Sequence, residues 1–240
     1  MAFLALAGVN FTQTNNGGVR PVQPAGRNLS DLAFAGSVTA PSANRHLRWD
    51  AGNARLEQGD TTQVDPADTP SYRMLVEAKA YLKEQYVRGM RTGGNDEMYH
   101  VFMTPSGMAK LRLDPDYLAN VRNAGMRGKG NELFKGAAEV TSDGLMIHEH
   151  RHVYNVSRAA AGQQWGGAGD VNGQRTLICG AQALAWADLG MPMWIEDEFD
   201  YENQPGISIA KIMGMRKPVW RSSVSGTQED FAVLAIDTAQ

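Results

Sequence analysis

The chain has a single cysteine, Cys179, in 240 residues. That excludes an internal disulfide framework and a zinc site built from several cysteines. No run approaches the ~20 consecutive apolar residues that a membrane-spanning helix needs. Neither sign of charge dominates: 23 Lys and Arg stand against 26 Asp and Glu, a formal net charge of -3. With a pI near 6.0, composition gives no global electrostatic reason to bind nucleic acid. Charged residues reach 20% and apolar ones 42%, both slightly under the usual shares of about 25% and roughly 45–50%. Collagen, a long coiled coil and a wholly disordered chain are excluded. Enough apolar material remains for a core, since a chain this long buries roughly 70–75% of its unfolded surface. The 26 glycines point to many turns. A soluble globular protein is expected.

The opening "MAFLALAGVNF" is apolar but lacks the Lys or Arg that begins a secretory signal, and it is shorter than one. It reads as a short amphipathic or buried segment. Residues 12–70 read as an extended, loop-rich arm, because "TQTNNGGVRPVQPAGRN" is rich in residues that favour turns. An arm of that kind either lies over a neighbouring molecule or hangs free.

The first helix is expected from Pro70 to Arg88, with Thr69 as cap and Pro70 as its first residue. Tyr72, Leu75, Ala78, Leu82 and Tyr86 form its apolar stripe, and Gly89 stops it. "MYHVFM" reads as a strand. Thr104 and Pro105 then open a helix with Met108 and Leu111 inward. Asp114 and Pro115 open another, carrying Leu118 and Val121 and ended by Gly125. A basic turn, "MRGKGNELF", precedes a strand near "GLMIHEHRHVYN". The five glycines in "SRAAAGQQWGGAGDVNGQR" suggest a mobile loop. Residues 175–189 are expected as a helix, with Ile178, Ala181, Ala185, Trp186 and Leu189 on one face and Gly190 at its end. "GISIAKIMGM", "PVWRSSV" and "FAVLAIDTA" read as strands. "FAVLAI", apolar on both faces, suits a central strand covered on both sides. The fold class is α+β, without internal repeats.

Four groups invite a chemical reading. His148, His150 and His152 would share one face of a strand, and three imidazoles with an open position describe a catalytic zinc site. Their spacing spreads them over roughly 13 Å, however, so two at most would share an ion. Cys179, among apolar neighbours, reads as an inert core thiol. "GGAGDVNGQR" matches neither phosphate-binding glycine pattern. Glu196, Asp197, Glu198 and Asp200 lack the spacing of a calcium loop and read as a solvated acidic face. Arg122, Arg127, Lys129 and Lys135 suit an acidic partner surface, phosphate or ordinary surface charge. No set supplies nucleophile, base and oxyanion donor together. No catalytic residue, cofactor or metal is expected.

Four segments, in order, resemble tailed-bacteriophage major capsid proteins of the podovirus-associated branch. They are "YHVFMTPSGMAKLRLDP", "NELFKGAAEVTSDGLMIHEHRHVYN", "ICGAQALAWADLG" and "DEFDYENQPGISIAKIMGMRKPVW". The resemblance implies the Hong Kong 97-type fold, with a spine-helix peripheral domain and an axial domain. On that pattern residues 1–69 are an N-terminal arm and loop-rich region, and 70–97 hold the spine helix. Residues 98–205 are mainly the axial domain, and 206–240 are closing strands of the peripheral domain. Members with these motifs carry more chain ahead of "FLALAGVNF", so this chain is expected to be a compact member or part of a longer one.

The resemblance also implies the role: a structural subunit that self-assembles into the icosahedral shell around phage double-stranded DNA. Its partners would be copies of itself in hexamers and pentamers, with decoration, scaffold or portal proteins beside them. Packaged DNA would meet the inner face without specific recognition, and no membrane is involved. Its place would be the virion, and the host cytoplasm during assembly. His148, His150 and His152 could then lie at a subunit contact and respond to pH. Two other readings stay open: a metal-dependent hydrolase using those histidines, and a decoration or accessory virion protein.

Overall fold

The computed structural model describes residues 2–8, 41–91, 97–123, 139–157, 159, 162, 164–199 and 203–240. Seven strands come before the last quarter of the chain: β1 (His46–Asp50), β2 (Arg55–Glu57), β3 (Met90–Arg91), β4 (Glu97–Met103), β5 (Glu139–Ser142), β6 (Leu145–Glu149) and β7 (Gly173–Cys179). Then come β8 (Ala185–Asp188), β9 (Met193–Phe199), β10 (Gln204–Ala210), β11 (Met213–Arg216), β12 (Val219–Arg221), β13 (Gln228–Asp230) and β14 (Val233–Ala239). The helices are α1 (Ala2–Ala7), α2 (Tyr72–Glu84), α3 (Pro105–Leu113) and α4 (Pro115–Asn123).

Eight strands make the central sheet, in the order β2-β1-β14-β7-β4-β6-β5, with β3 on the end of β4. β1 runs parallel to β14 and β4 parallel to β6, and the remaining pairs are antiparallel. All seven residues of β7 and of β14 are buried. Their runs are apolar on both faces because both faces are covered.

Side chains alternate across a strand, so register sorts the two faces. One face aligns Leu47, Ile236, Ile178, Val101 and Ile147 with Leu234 and Tyr99. The helices add Met74, Leu75, Ala78, Leu82, Met108 and Leu111 to the same core. The second face aligns His46, Ala235, Leu177, Phe102 and His148, flanked by Asp237 and Arg175. Helix α1 lies on that face: Phe3 meets Phe102 edge-on at 5.3 Å, and Arg175 Nη1 donates to the Ala7 carbonyl at 3.0 Å. The apolar opening segment is therefore partly buried, as its composition suggested, with Leu6 and Ala7 in the core.

α+β organisation, the "MYHVFM" strand, the Thr104–Pro105 helix start and the closing strands all appear where expected. Thr104 Oγ1 accepts from Gly107 N–H at 3.1 Å, capping α3, and Met108 and Leu111 are fully buried. Other expectations need correction. Residues 41–70 are not a loose arm, since β1 and β2 belong to the sheet and Leu47 and Trp49 to its core. The arm's earlier part, 9–40, lies outside the described residues, as do Gly125 and the basic turn 126–134. Helix α2 starts later and ends sooner. Ser71, not Thr69, caps it by accepting from Met74 N–H, and the turn closes at Gln85.

Residues 175–189 form two strands and no helix. Helical spacing of the apolar side chains was present, but Gly180 lies where a Cβ would come within 2.3 Å of the Arg88 carbonyl oxygen. That close approach, with β4 and β14 on either side of β7, leaves no room for a helix. Within the glycine-rich stretch, the described residues include packed ones. Trp165 is fully buried and pairs with Val171 across a bridge.

Candidate functional site: an exposed apolar ribbon

β7 and β14 are neighbours, with Val233 opposite Cys179. Gly180 N–H donates to the Ala232 carbonyl at 2.8 Å. Residues 180–232 therefore leave the sheet and return at one point. The outgoing strands β8 and β9 pair with the returning strands β11 and β10 to make one long two-stranded ribbon. From Ala185 to Phe199 the outgoing side spans roughly 50 Å at about 3.3 Å per residue. A bulge divides it: residues 189–192 stand opposite 211–212, and Leu189 N–H reaches the Ile212 carbonyl at 3.2 Å. Gly190, at φ 122°, makes the bend in a conformation that a side chain would resist.

The ribbon is apolar and largely exposed among the described residues. Fifteen large apolar side chains are exposed among the described residues, and ten of them lie between Trp186 and Met213, each 53–92% exposed. Trp194, Ile207 and Ile209 share one face of the outer half with Glu196 and Glu198. Met193 and Ile195 occupy the other. Fully burying one such side chain is worth roughly 1.5–3 kcal/mol. Ten of them, more than half exposed, hold on the order of 10 kcal/mol that folding of the chain leaves unused. That is comparable with the roughly 4–15 kcal/mol that association costs in lost freedom. Such an apolar surface marks an interaction site.

Charge fixes the root of the ribbon. Lys217 follows β11 directly and is fully buried, with its Nζ 2.6 Å from Asp230 Oδ2. Burial pushes the Lys217 ammonium down and the Asp230 carboxyl up, and each charge opposes that drift in the other. Beside them Arg45 meets Glu229 at 3.2 Å, and Ser42 and Asp230 exchange backbone-to-side-chain hydrogen bonds. A buried pair left with one partner is strongly destabilising, so the root is held firmly.

A second buried charge cluster lies on the α1 face of the sheet. Arg175 donates from Nε and Nη2 to Asp237 at 2.7 and 2.9 Å, and His46 Nε2 lies 2.7 Å from the same carboxylate. Burial alone would raise the Asp237 carboxyl, but Arg175 and His46 hold it down at about 2. Tyr154 lies 5.7 Å from the guanidinium, and burial pushes its phenol well above the usual range. The cluster is structural in character: it joins β1, β14 and β7 to α1.

The candidate chemical residues do not converge. His148 is on β6, but His150 and His152 lie beyond its end, in the turn that follows. His148 pairs instead with His100 on β4, ring nitrogens 2.7 Å apart, while His150 stacks near Phe3 and His152. Burial first, then His152 and Arg151, lowers the His150 ring below its ordinary value. Among the described residues no three of His, Cys, Asp and Glu are placed to hold an ion. Cys179 is on a central strand, not a helix, and burial raises its thiol to about 12. It is an inert core thiol in both readings. Glu196, Asp197 and Glu198 are exposed on β9, and Asp200 lies outside the described residues. Arg122 is exposed on α4, whereas Arg127, Lys129 and Lys135 lie outside them.

Sequence reasoning missed the ribbon's exposure. Its strands carry the same apolar residue types as the core strands. The available signal was symmetry: two apolar arms, 185–195 and 207–215, flank a polar centre.

Comparison with known proteins follows this geometry. A family model described as "Phage capsid protein" matches residues 2–240. The chain is 52% identical over 241 residues to the major capsid protein of Pseudomonas phage KPP25, covering 100% of this chain and 63% of that relative's length. Among solved structures, the capsid of Ralstonia phage GP4 matches with a TM-score of 0.62 at 22% identity, over 99% of this chain and 61% of that one. The capsid asymmetric unit of cyanophage Pam1 matches with a TM-score of 0.61 at 15% identity, over 82% of this chain and 54% of that one. At these identities the structures establish the fold, the Hong Kong 97-type α+β fold of phage capsid subunits.

Proposed function

The chain belongs to the phage capsid protein family, and on that premise we propose that it is a major capsid subunit. Copies associate into the icosahedral shell that encloses phage double-stranded DNA. The observation that carries this reading is the ribbon, an apolar two-stranded excursion with a charged root and ten large apolar side chains exposed among the described residues. A heterologous contact, in which different faces of successive copies meet, builds rings when its rotation closes. The partners are then other copies in hexamers and pentamers, joined by portal, scaffold or decoration proteins. DNA meets the inner wall without specific recognition, which suits a net charge of -3. The protein resides in the virion and passes through the host cytoplasm during assembly.

Its role is structural and not catalytic. The buried thiol and the divergent histidines support this over a metal-dependent hydrolase. A decoration protein would not need the ribbon's extent of apolar surface. Within the subunit, residues 1–69 form the N-terminal region, whose β1 and β2 join the sheet, 70–97 the spine-helix segment, 98–205 mainly the axial domain and 206–240 the closing strands. Helix α2 lies in the second segment, and β14 of the last segment lies between β1 and β7, so the segments share one sheet.

Light scattering of the purified chain, with negative-stain microscopy of the same fraction, tests the reading. Rings, sheets or shells are expected. A monodisperse monomer at every concentration would contradict it.

A further inference from the structure

Sulfur is unevenly placed in this chain. Four of its 12 methionines, Met191, Met193, Met213 and Met215, fall between positions 191 and 215, all on the ribbon. Met191 lies in the bulge at 92% exposure, and Met193 on β9 and Met213 on β11 follow at 60% and 54%. Among the described residues, every methionine more than half exposed stands on the ribbon. Met74, Met103 and Met108, by contrast, are fully buried in the core. The one thiol is withdrawn as well. Burial raises Cys179 to about 12, so it offers a peroxide no thiolate. Thioether sulfur on the ribbon is what this fold presents to a soluble oxidant.

Register shows what these side chains accompany. Met193 stands on the same face of β9 as Ile195, with Ala210 and Ser208 opposite. Met213 shares a face with Met215, which lies opposite Trp186. The methionines are thus part of the exposed apolar surface. A thioether suits such a surface, being apolar, polarizable and able to fit irregular partners.

A peroxide changes that character in one step. The sulfur lone pair attacks one peroxide oxygen and the O–O bond breaks. Sulfur, oxidised by two electrons, becomes the sulfoxide, and hydrogen peroxide is reduced to water. Both carbon–sulfur bonds stay intact. The side chain is now polar. Its new oxygen is an acceptor, and burying it without a donor costs what burying any unpaired polar group costs.

We propose that Met191, Met193 and Met213 form a modification site, and that their conversion to sulfoxides by a peroxide weakens the association that the ribbon supports. The inference rests on the self-association reading above and adds a redox control to it. Because these side chains stand clear of the core, oxidation acts on association and not on folding. Association in turn buries the sulfurs, so the free subunit is the sensitive form.

Peroxide treatment of the full chain tests it. Brief exposure to hydrogen peroxide, below the concentration at which copies associate, is followed by peptide mass spectrometry. Met191, Met193 and Met213 should oxidise at least tenfold faster than Met74, Met103 and Met108. The treated chain should melt as the parent does, yet need at least tenfold more protein to associate in sedimentation velocity. Met191→Leu with Met193→Leu and Met213→Leu should keep association within about threefold of the parent and make it indifferent to peroxide. That variant separates these sulfurs from any other oxidised group. Met191→Gln with Met193→Gln and Met213→Gln, polar and of similar length, should melt as the parent does and associate as weakly as the treated chain, with no oxidant added. Parent-like association once the three sulfoxides have formed would overturn the proposal. So would core methionines that oxidise as fast, or a leucine variant that loses association in peroxide to the same extent. Failure of the untreated parent to associate at any concentration is a separate result, which would contradict the shell reading and this control with it.

Discussion

Strands β7 and β14 and strands β8 to β11 are written in similar residues and meet opposite fates. Val233, Leu234 and Ile236 lie in a core with next to no exposure, while Trp194, Ile207 and Ile209 stand more than half exposed on the ribbon. The difference lies in neighbours. β14 has a strand on each edge and cover on both faces, whereas each ribbon strand has one strand partner and its large apolar side chains between Trp186 and Met213 stay more than half exposed among the described residues. An isolated two-stranded ribbon is marginal in water. This one combines a root anchored by buried charge with a surface suited to burial by another molecule. The sheet is thus buried within the chain, whereas on the proposed reading the ribbon is buried by association.

The largest expected effect breaks the sheet. Arg175→Met leaves Asp237 and His46 buried without their cation, and breaking such a pair costs about 3–5 kcal/mol. Thermal unfolding of the variant should show a melting temperature lower by about 10 °C. A loss under about 1 kcal/mol would mean that the cluster relaxes easily and the sheet is less rigid than argued.

Next comes the ribbon. Trp194→Ser with Ile209→Ser removes a cross-strand pair from its outer half. Because neither side chain touches the core, stability of the chain should change by no more than about 0.5 kcal/mol. Association should weaken at least tenfold, or about 1.4 kcal/mol. Loss of stability without loss of association would reverse the assignment of roles.

Acid supplies a third, smaller test. Asp237 is held at about 2 in the folded chain, below its ordinary value near 3.9. A lowered carboxyl contributes stability in full above the unfolded value, and that contribution fades as pH falls through the folded one. Denaturant titrations should therefore lose about 2 kcal/mol between about pH 4 and pH 2. In an Asp237→Asn chain that retains its fold, this loss should be absent. The smallest effect is a null one. Alkylation of Cys179, raised to about 12 by burial, should follow opening of the sheet and proceed at the same rate in the ribbon variant.

Much of the core was legible in the sequence. "FAVLAI" announced a doubly covered strand, Thr104 and Pro105 announced a helix start, and "MYHVFM" announced a strand, whose Tyr99, Val101 and Met103 the structure buries. Where legibility failed, a long-range contact decided. Helical spacing over 175–189 gave way to the pairing of β7 with β14 and to the close approach of Gly180 to Arg88. Tyr86 fitted the apolar stripe of α2 by spacing but turned outward, because the helix ended before reaching it. His148, His150 and His152 separated because β6 stops at Glu149 and the chain turns. The ribbon was the least legible, since strand propensity reports on a pleated surface and not on whether that surface is covered.

Amide hydrogen exchange on the same protein, free and associated, tests the division between sheet and ribbon most directly. In the free chain, amides of β7 and β14 should exchange slowest and those of β8 to β11 far faster, and association should protect the ribbon selectively. A ribbon already as protected as the sheet in the free chain, or still unprotected once copies have associated, would contradict the account.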